Sequence, residues 1–108
     1  MKYPKELYIG NHLYKFKVVR FIEKMIFKKN NIAANINYQE SIIKTTEFSN
    51  EKENQATFFH ELAHGILREM EFNHPKIIKF RNDEKFTDEL GMVLRKTFID
   101  LQKKGVIK

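Results

Sequence analysis

The stretch from residue 51 to residue 70 constrains the fold of this chain more than any other segment. Its apolar residues recur at spacings of three and four, as they do on one face of an α-helix. These residues are Ala56, Phe59, Leu62, Ala63, Ile66, Leu67 and Met70. Ser49 or Asn50 can cap the N-terminus of the helix, which must end before Pro75. We therefore expect one long amphipathic helix near the middle of the chain.

The first third of the chain carries strand patterns instead. Residues 7–19 predict a β-hairpin, because apolar residues flank Gly10 and Asn11, a pair suited to a tight turn with positive φ. Residues 32–38 and 42–48 alternate well enough to form two more strands, joined by a turn at 39–41. The basic stretch between the two pairs, residues 21–31, is compatible with either a helix or a loop.

A second helix is predicted from residue 83 to residue 104. Asn82 can cap its start, the acidic Asp83 and Glu84 suit its positive end, and Gly105 follows its last residue. Its expected buried face consists of Phe86, Leu90, Val93, Leu94, Thr97, Phe98 and Leu101. The predicted architecture is α+β: a small antiparallel β-sheet, made of the hairpin and the second strand pair, followed by two helices. At this length we expect a single domain over residues 1–108.

Composition narrows the kinds of site and compartment. The chain has no cysteine, so a metal site must use histidine and carboxylate ligands. No apolar run approaches the length of a membrane span, and the N-terminus lacks the pattern of a signal peptide, which together predict a cytoplasmic protein. The net charge of +6 is spread along the sequence, so we interpret most of it as solvation rather than as a partner surface.

The residues that carry chemistry are His60-Glu61-Leu62-Ala63-His64, inside the first helix. Imidazoles at positions i and i+4 project from one helical face, so His60 and His64 are predicted to bind one zinc ion. Glu61 lies beside the ion, where its carboxylate can take a proton from metal-bound water. The alternative is that all three are ordinary helix residues, but both histidines share a face with core residues, where unpaired rings are costly to bury.

Two histidines leave a tetrahedral zinc site short of one protein ligand. The position six residues after His64, where some zinc peptidases have a third histidine, is occupied by Met70, so a carboxylate of the second helix is the natural supplier. Glu84 is the first candidate, because it shares a helical row with Thr87 and Gly91, whose small size lets two helices approach. The other candidates are Asp88, which is the main rival, Glu89 and Asp83.

With these motifs the chain resembles the minimal gluzincin-type metallopeptidase-like proteins encoded by bacteriophages, which are related to the ImmA/IrrE metallopeptidase family. The resemblance covers nearly the whole chain and rests on residues 7–19, 32–48, 57–67 and 82–91. It implies a zincin-like fold with Glu84 as the third ligand, two residues before Phe86 and seven before Gly91. Thr87 and Gly91 depart mildly from the residues usual at their positions.

The expected activity is hydrolysis of a peptide bond by zinc-activated water. The resemblance implies a transcriptional repressor or another regulator as substrate and, for a phage protein, the host cytoplasm as compartment. The candidates for oxyanion stabilisation are His12, Tyr14, Tyr38 and His74, and the sequence does not distinguish among them. The alternative hypothesis is a non-catalytic, zinc-stabilised protein that binds a partner protein or DNA through its basic surface.

Overall fold

A computed structural model of the chain describes residues 3–107. Its strands are β1 (Glu6–Ile9), β2 (His12–Val18), β3 (Ala34–Asn37) and β4 (Ile42–Thr45). Its helices are α1 (Phe21–Lys29), α2 (Glu51–Glu71), α3 (Ile78–Arg81) and α4 (Glu84–Lys103), and a 3-10 turn at Pro75–Ile77 precedes α3. The α+β class and the two long helices are as predicted. The basic stretch at 21–31 is mostly helical, which makes α1 an element between the two strand pairs.

Local sequence features account for the boundaries of these elements. Gly10 has a φ of +61° in the turn of the β1–β2 hairpin, a conformation that glycine adopts without strain. The Asn50 side chain caps α2 by accepting hydrogen bonds from the backbone N–H groups of Lys52 and Glu53. At α4 the cap is Asp83, which accepts from the Phe86 N–H, so the prediction of Asn82 as the cap was wrong by one residue.

The sheet has four strands in the order β1-β2-β4-β3. The outer pairs, β1–β2 and β3–β4, are antiparallel as predicted, but β2 and β4 pair in parallel. The prediction of an antiparallel sheet was therefore wrong for the central pair, and the sheet is mixed. The parallel pairing of β2 with β4 results from the path of the chain, because α1 leads it from the end of β2 to the far edge of the sheet, where β3 lies. The returning strand β4 then runs in the direction of β2, as a crossover connection requires.

The core lies between one face of the sheet and helix α2. Buried aromatic and aliphatic side chains from both layers meet there, among them Tyr14, Phe16, Ile43, Phe58 and Phe59. The helix comes so close to β1 at Gly65 that a Cβ atom on this residue would lie 2.7 Å from Cδ1 of Ile9. The contact explains a glycine in a helix interior, which otherwise costs about 1 kcal/mol relative to alanine.

Helix α4 packs against α2 with a face that is rotated from the predicted one. Thr87 and Gly91 are buried, and Leu94 and Phe98 pack against the core. Four members of the predicted face are exposed, so that part of the prediction was wrong: Phe86, Val93, Thr97 and Leu101. Thr87 and Gly91 occupy the contact because small residues let the two helices approach more closely than large residues would.

No helix among residues 3–107 is long and apolar enough to cross a membrane.

Candidate metal centre

Helix α2 presents His60 and His64 on the face that meets α4. The two residues are one helical turn apart, and their ring centroids are 4.9 Å apart with the ring planes nearly perpendicular. His64 is buried, and His60 is partly exposed at the mouth of a cleft. The helix therefore brings two imidazoles to one place, as positions i and i+4 should.

The close packing of α4 on α2 brings a carboxylate to the same place. A Cβ atom on Gly91 would lie 2.9 Å from the backbone oxygen of Phe59 and 3.0 Å from Cα of His60, so only glycine fits this contact. Thr87 is fully buried in the same row, and its hydroxyl donates to the backbone oxygen of Asp83. This row sets α4 against α2, and Glu84 is the first residue of α4.

Glu84 bridges the two histidines. Its Oε2 atom lies 2.9 Å from Nε2 of His60, and its Oε1 atom lies 3.1 Å from Nε2 of His64. One ligand atom from each of the three residues falls within 4.8 Å of the others. His60, His64 and Glu84 thus form a three-residue cluster that could hold one metal ion.

The other acidic candidates for the third ligand are not members of this three-residue cluster. Asp88 contacts the opposite ring nitrogen of His60, with Oδ1 3.3 Å from Nδ1. In metal sites a ligating histidine usually donates its second ring N–H to a carboxylate or carbonyl, which fixes the ring. Asp88 is therefore placed to orient His60, Asp83 caps α4, and Glu89 is exposed outside the cluster.

The donor types are ones that zinc accepts, since zinc binds histidine nitrogen and carboxylate oxygen. Ligands about 2.0–2.2 Å from one zinc ion in a tetrahedron are separated by roughly 3.3–3.6 Å. The three candidate ligand atoms lie within 4.8 Å of one another, so small side-chain movements would bring them around one ion. The His64 ring is near the Arg81 backbone, but its Nδ1 atom makes no hydrogen bond of good geometry within residues 3–107. Burial lowers the pKa of His64, although the Glu84 carboxylate opposes this. Burial thus favours the neutral imidazole, the form that binds metals.

Glu61 lies on the same helix beside this cluster. Its side chain is buried, and its Oε2 atom has no hydrogen-bond partner within residues 3–107. Burial raises the pKa of Glu61 to about 7, since the neighbouring His60 only partly offsets the loss of solvent and Glu84 adds to the rise. This carboxyl group is therefore poised to exchange a proton near neutral pH.

The cluster opens into a cleft of about 690 Å³ between β3, α2 and the start of α4. Of the four residues proposed for oxyanion stabilisation, only Tyr38 lines this cleft; Tyr14 instead donates to Glu69 on another face of α2.

Arg81 also lines the cleft, and its guanidinium lies 4.5 Å from the centre of the Tyr38 ring. It pairs with Glu71, Nε to Oε2 2.7 Å, which holds it in place. Arg81 was not anticipated, because no local pattern links it to the motif helix.

No family model, curated protein or solved structure matches this chain. The chemistry of the cluster therefore carries the functional argument.

Proposed function

We propose that this chain is a zinc metallopeptidase of the gluzincin type, as its resemblance to phage-encoded relatives of the ImmA/IrrE family implies. The observation that carries the proposal is the convergence of His60, His64 and Glu84 within 4.8 Å beside the buried carboxyl group of Glu61. Three protein ligands leave one position of a tetrahedral site open, which is typical of catalytic rather than structural zinc. The Glu84 side chain is 71% exposed, in keeping with a site that opens to solvent.

Zinc in this position would supply a water molecule of lowered pKa and a Lewis acid that polarises a substrate carbonyl. Glu61 is the group suited to accept a proton during attack, because burial raises its pKa to about 7, close to neutral pH. The same carboxyl group can then give that proton to the leaving amine. Asp88 holds the His60 ring in place, and Tyr38, which lines the cleft, is the candidate to donate a hydrogen bond to the developing oxyanion.

The shape of the cleft supports a polypeptide substrate. Strand β3 forms one wall and is one of the two edge strands of the sheet, so its outer backbone groups face no further strand among residues 3–107. An extended peptide can pair with such an edge and so present a carbonyl group to the metal cluster. A transcriptional repressor or another regulator is the substrate that the resemblance implies.

The test is the substitution Glu61→Gln, which keeps the shape of the side chain and removes the proton acceptor. Zinc-loaded wild-type and mutant proteins are incubated with labelled casein, as an unfolded substrate, and with candidate repressors. We expect the rate to fall by roughly two to four orders of magnitude, with zinc content and circular dichroism unchanged. Glu53→Gln, at an exposed position of the same helix, is the control and should keep the wild-type rate.

Two outcomes would contradict the catalytic proposal. One is a measurable wild-type rate that Glu61→Gln leaves unchanged, which would remove Glu61 from the mechanism. The other is an equally low background from both proteins on every substrate while zinc stays bound. That result would favour the alternative, a zinc-stabilised protein that binds a partner protein or DNA.

A further inference from the structure

Helix α1 turns an apolar face to solvent. Four large apolar side chains project from its nine residues: Phe21 is 86% exposed, Ile22 74%, Met25 70% and Ile26 51%. Phe27 is the one buried residue of this helix. Exposed apolar residues are ordinary when they are scattered, but four on one short helix form a patch that indicates an interaction site.

The surroundings of this patch are basic. Arg20, Lys24, Lys28 and Lys29 lie in or beside α1. The single acidic residue of the helix, Glu23, pairs with Lys44 on β4, Oε2 to Nζ 2.6 Å. Lys17 lies opposite Lys44 in the parallel β2–β4 register, and Lys15 is two residues before it on the same strand face. The sheet face that carries Lys44, joined to α1 by this ion pair, therefore extends the positive surface.

The backbone at the start of α1 is also unusual. Phe21 has a φ of +52°, a conformation that a bulky residue rarely adopts, because it costs free energy. No packing within residues 3–107 offsets this cost, since the Phe21 ring is the most exposed large apolar side chain of that range. Strain and exposure on the same aromatic residue support contact with something outside the chain.

We propose that α1 docks the protein onto an anionic lipid surface. A short helix with aromatic and aliphatic residues on one side and lysines around them is suited to lie in the plane of the bilayer interface. The apolar side chains enter the boundary of the acyl region, and the lysines contact acidic headgroups. At about 1.5 Å per residue the helix is only about 14 Å long, so it lies on the membrane without crossing it.

Lipid fits these residues better than DNA or a protein groove does. Duplex DNA would match the positive charge but offers little to Phe21, Ile22, Met25 and Ile26. A protein groove would have to enclose four apolar side chains that residues 3–107 leave largely exposed. A bilayer needs only apolar area and opposite charge, and α1 supplies both.

Docking through α1 would place the metal centre beside the membrane. The loop that follows α1 contributes Asn31, Ile32 and Ala33 to the lining of the metal cleft. The cleft is thus directly connected in sequence and in space to the proposed docking helix. The docking proposal itself is independent of metal binding and of catalysis.

The experiment is co-sedimentation of the full chain with vesicles of phosphatidylcholine and phosphatidylglycerol, beside vesicles of phosphatidylcholine alone. We expect binding to the anionic vesicles that weakens with added salt, and much weaker binding to the neutral ones. The double substitution Ile22→Ser, Met25→Ser should lower the partition coefficient roughly tenfold or more. Lys24→Gln with Lys28→Gln should lower it roughly thirtyfold, at about fivefold per lysine.

Matched controls come from α3 and α4. Met92→Ser with Val93→Ser removes two apolar side chains of α4 that are 46% and 52% exposed, and Lys76→Gln with Lys79→Gln removes two exposed charges in or beside α3. Both controls should bind as the wild type does, and circular dichroism should show every variant folded. The proposal is overturned if wild-type protein does not sediment with anionic vesicles. It is also overturned if the α1 and α4 variants bind equally, or if the α1 substitutions instead dissolve a dimer seen by analytical ultracentrifugation.

Discussion

Helix α2 carries buried or partly buried polar groups on two sides, and within residues 3–107 the side that faces the metal cleft leaves some of them without a hydrogen bond. On the hairpin side, Glu69 accepts a hydrogen bond of 2.7 Å from the Tyr14 hydroxyl and also contacts Nδ1 of His12. On the side that faces the candidate metal cluster, Oε2 of Glu61 and Nδ1 of His64 have no hydrogen-bond partner within residues 3–107. Because most buried polar atoms are hydrogen-bonded, the contrast separates a cluster that holds the fold together from one that is available to a ligand.

The protonation states of the two sides differ in the same sense. Burial raises the pKa of Glu61 to about 7 and lowers the pKa of His64, so the uncharged forms of both groups are favoured beside the cleft. On the hairpin side, burial and the Glu69 carboxylate both raise the pKa of Tyr14, which keeps its hydroxyl group protonated as a donor. One side therefore holds a stable hydrogen bond, and the other keeps its groups in forms that suit the proposed metal binding and proton transfer.

The largest effect should come from removing Glu84, the carboxylate that bridges the two histidines. Glu84→Ala should weaken zinc affinity by more than the roughly 10- to 100-fold that is typical of losing an outer partner of a ligand. Glu89→Ala, on the same helix and outside the cluster, is the control and should leave affinity unchanged. Competition titration with a chromogenic chelator measures both. Equal losses would show that α4 is rotated from the orientation described.

Asp88 should have the next largest effect. Asp88→Asn keeps the size of the side chain and removes the charge near Nδ1 of His60, so we expect zinc affinity to fall by roughly 10- to 100-fold. The stability of the metal-free protein should hardly change, because Asp88 is exposed. Zinc titration and thermal melts of the same samples separate the two quantities. A loss as large as that of Glu84→Ala would indicate that Asp88 itself binds the metal.

Alanine substitutions at the two helix glycines compare how closely α2 packs against α4 and against β1. Gly91→Ala should destabilise the fold by about 1–3 kcal/mol and also weaken zinc binding, because the new Cβ would meet the rigid backbone at Phe59 and His60. At Gly65 the new Cβ would meet the flexible end of the Ile9 side chain, which can turn away. We expect Gly65→Ala to cost less than about 1 kcal/mol, since alanine also favours the helix. Urea unfolding of both variants should show this order, and the reverse order would contradict it.

The smallest effect on zinc binding should come from Tyr14→Phe on the hairpin side. The change removes the hydrogen bond to Glu69 and leaves its carboxylate with one partner fewer, at a cost of about 1–2 kcal/mol in unfolding free energy. Zinc affinity should remain that of the wild type. A variant that lost zinc as well as stability would link the two sides of α2, against the separation argued here.

Local features were enough to predict much of this fold. The turn at Gly10, the cap at Asn50 and the helical spacing of the motif residues each depend on a few neighbouring positions, and each lies where it was expected. The prediction of Glu84 also used local information, since Thr87 and Gly91 mark the row of α4 that can approach another helix. All three residues are at the α2–α4 contact, as that row implied.

The remaining features depend on contacts between distant segments. The parallel pairing of β2 with β4 follows from the path of α1, which strand periodicity does not reveal. The contact of Asp88 with Nδ1 of His60 depends on the rotation of α4, and the pairing of Arg81 with Tyr38 joins α3 to the end of β3. The apolar residues of α4 predicted a buried face, but close packing at Gly91 turned several of them to solvent.

The metal content of the purified protein, measured by elemental analysis beside the double variant His60→Ala, His64→Ala, tests the proposed centre most directly. We expect about one zinc ion per wild-type chain and none in the variant, because both imidazoles are proposed ligands. Chelation should then lower the melting temperature of the wild type and leave that of the variant unchanged. A wild-type protein that does not bind added zinc, or a double variant that retains one zinc per chain, would contradict the proposed centre.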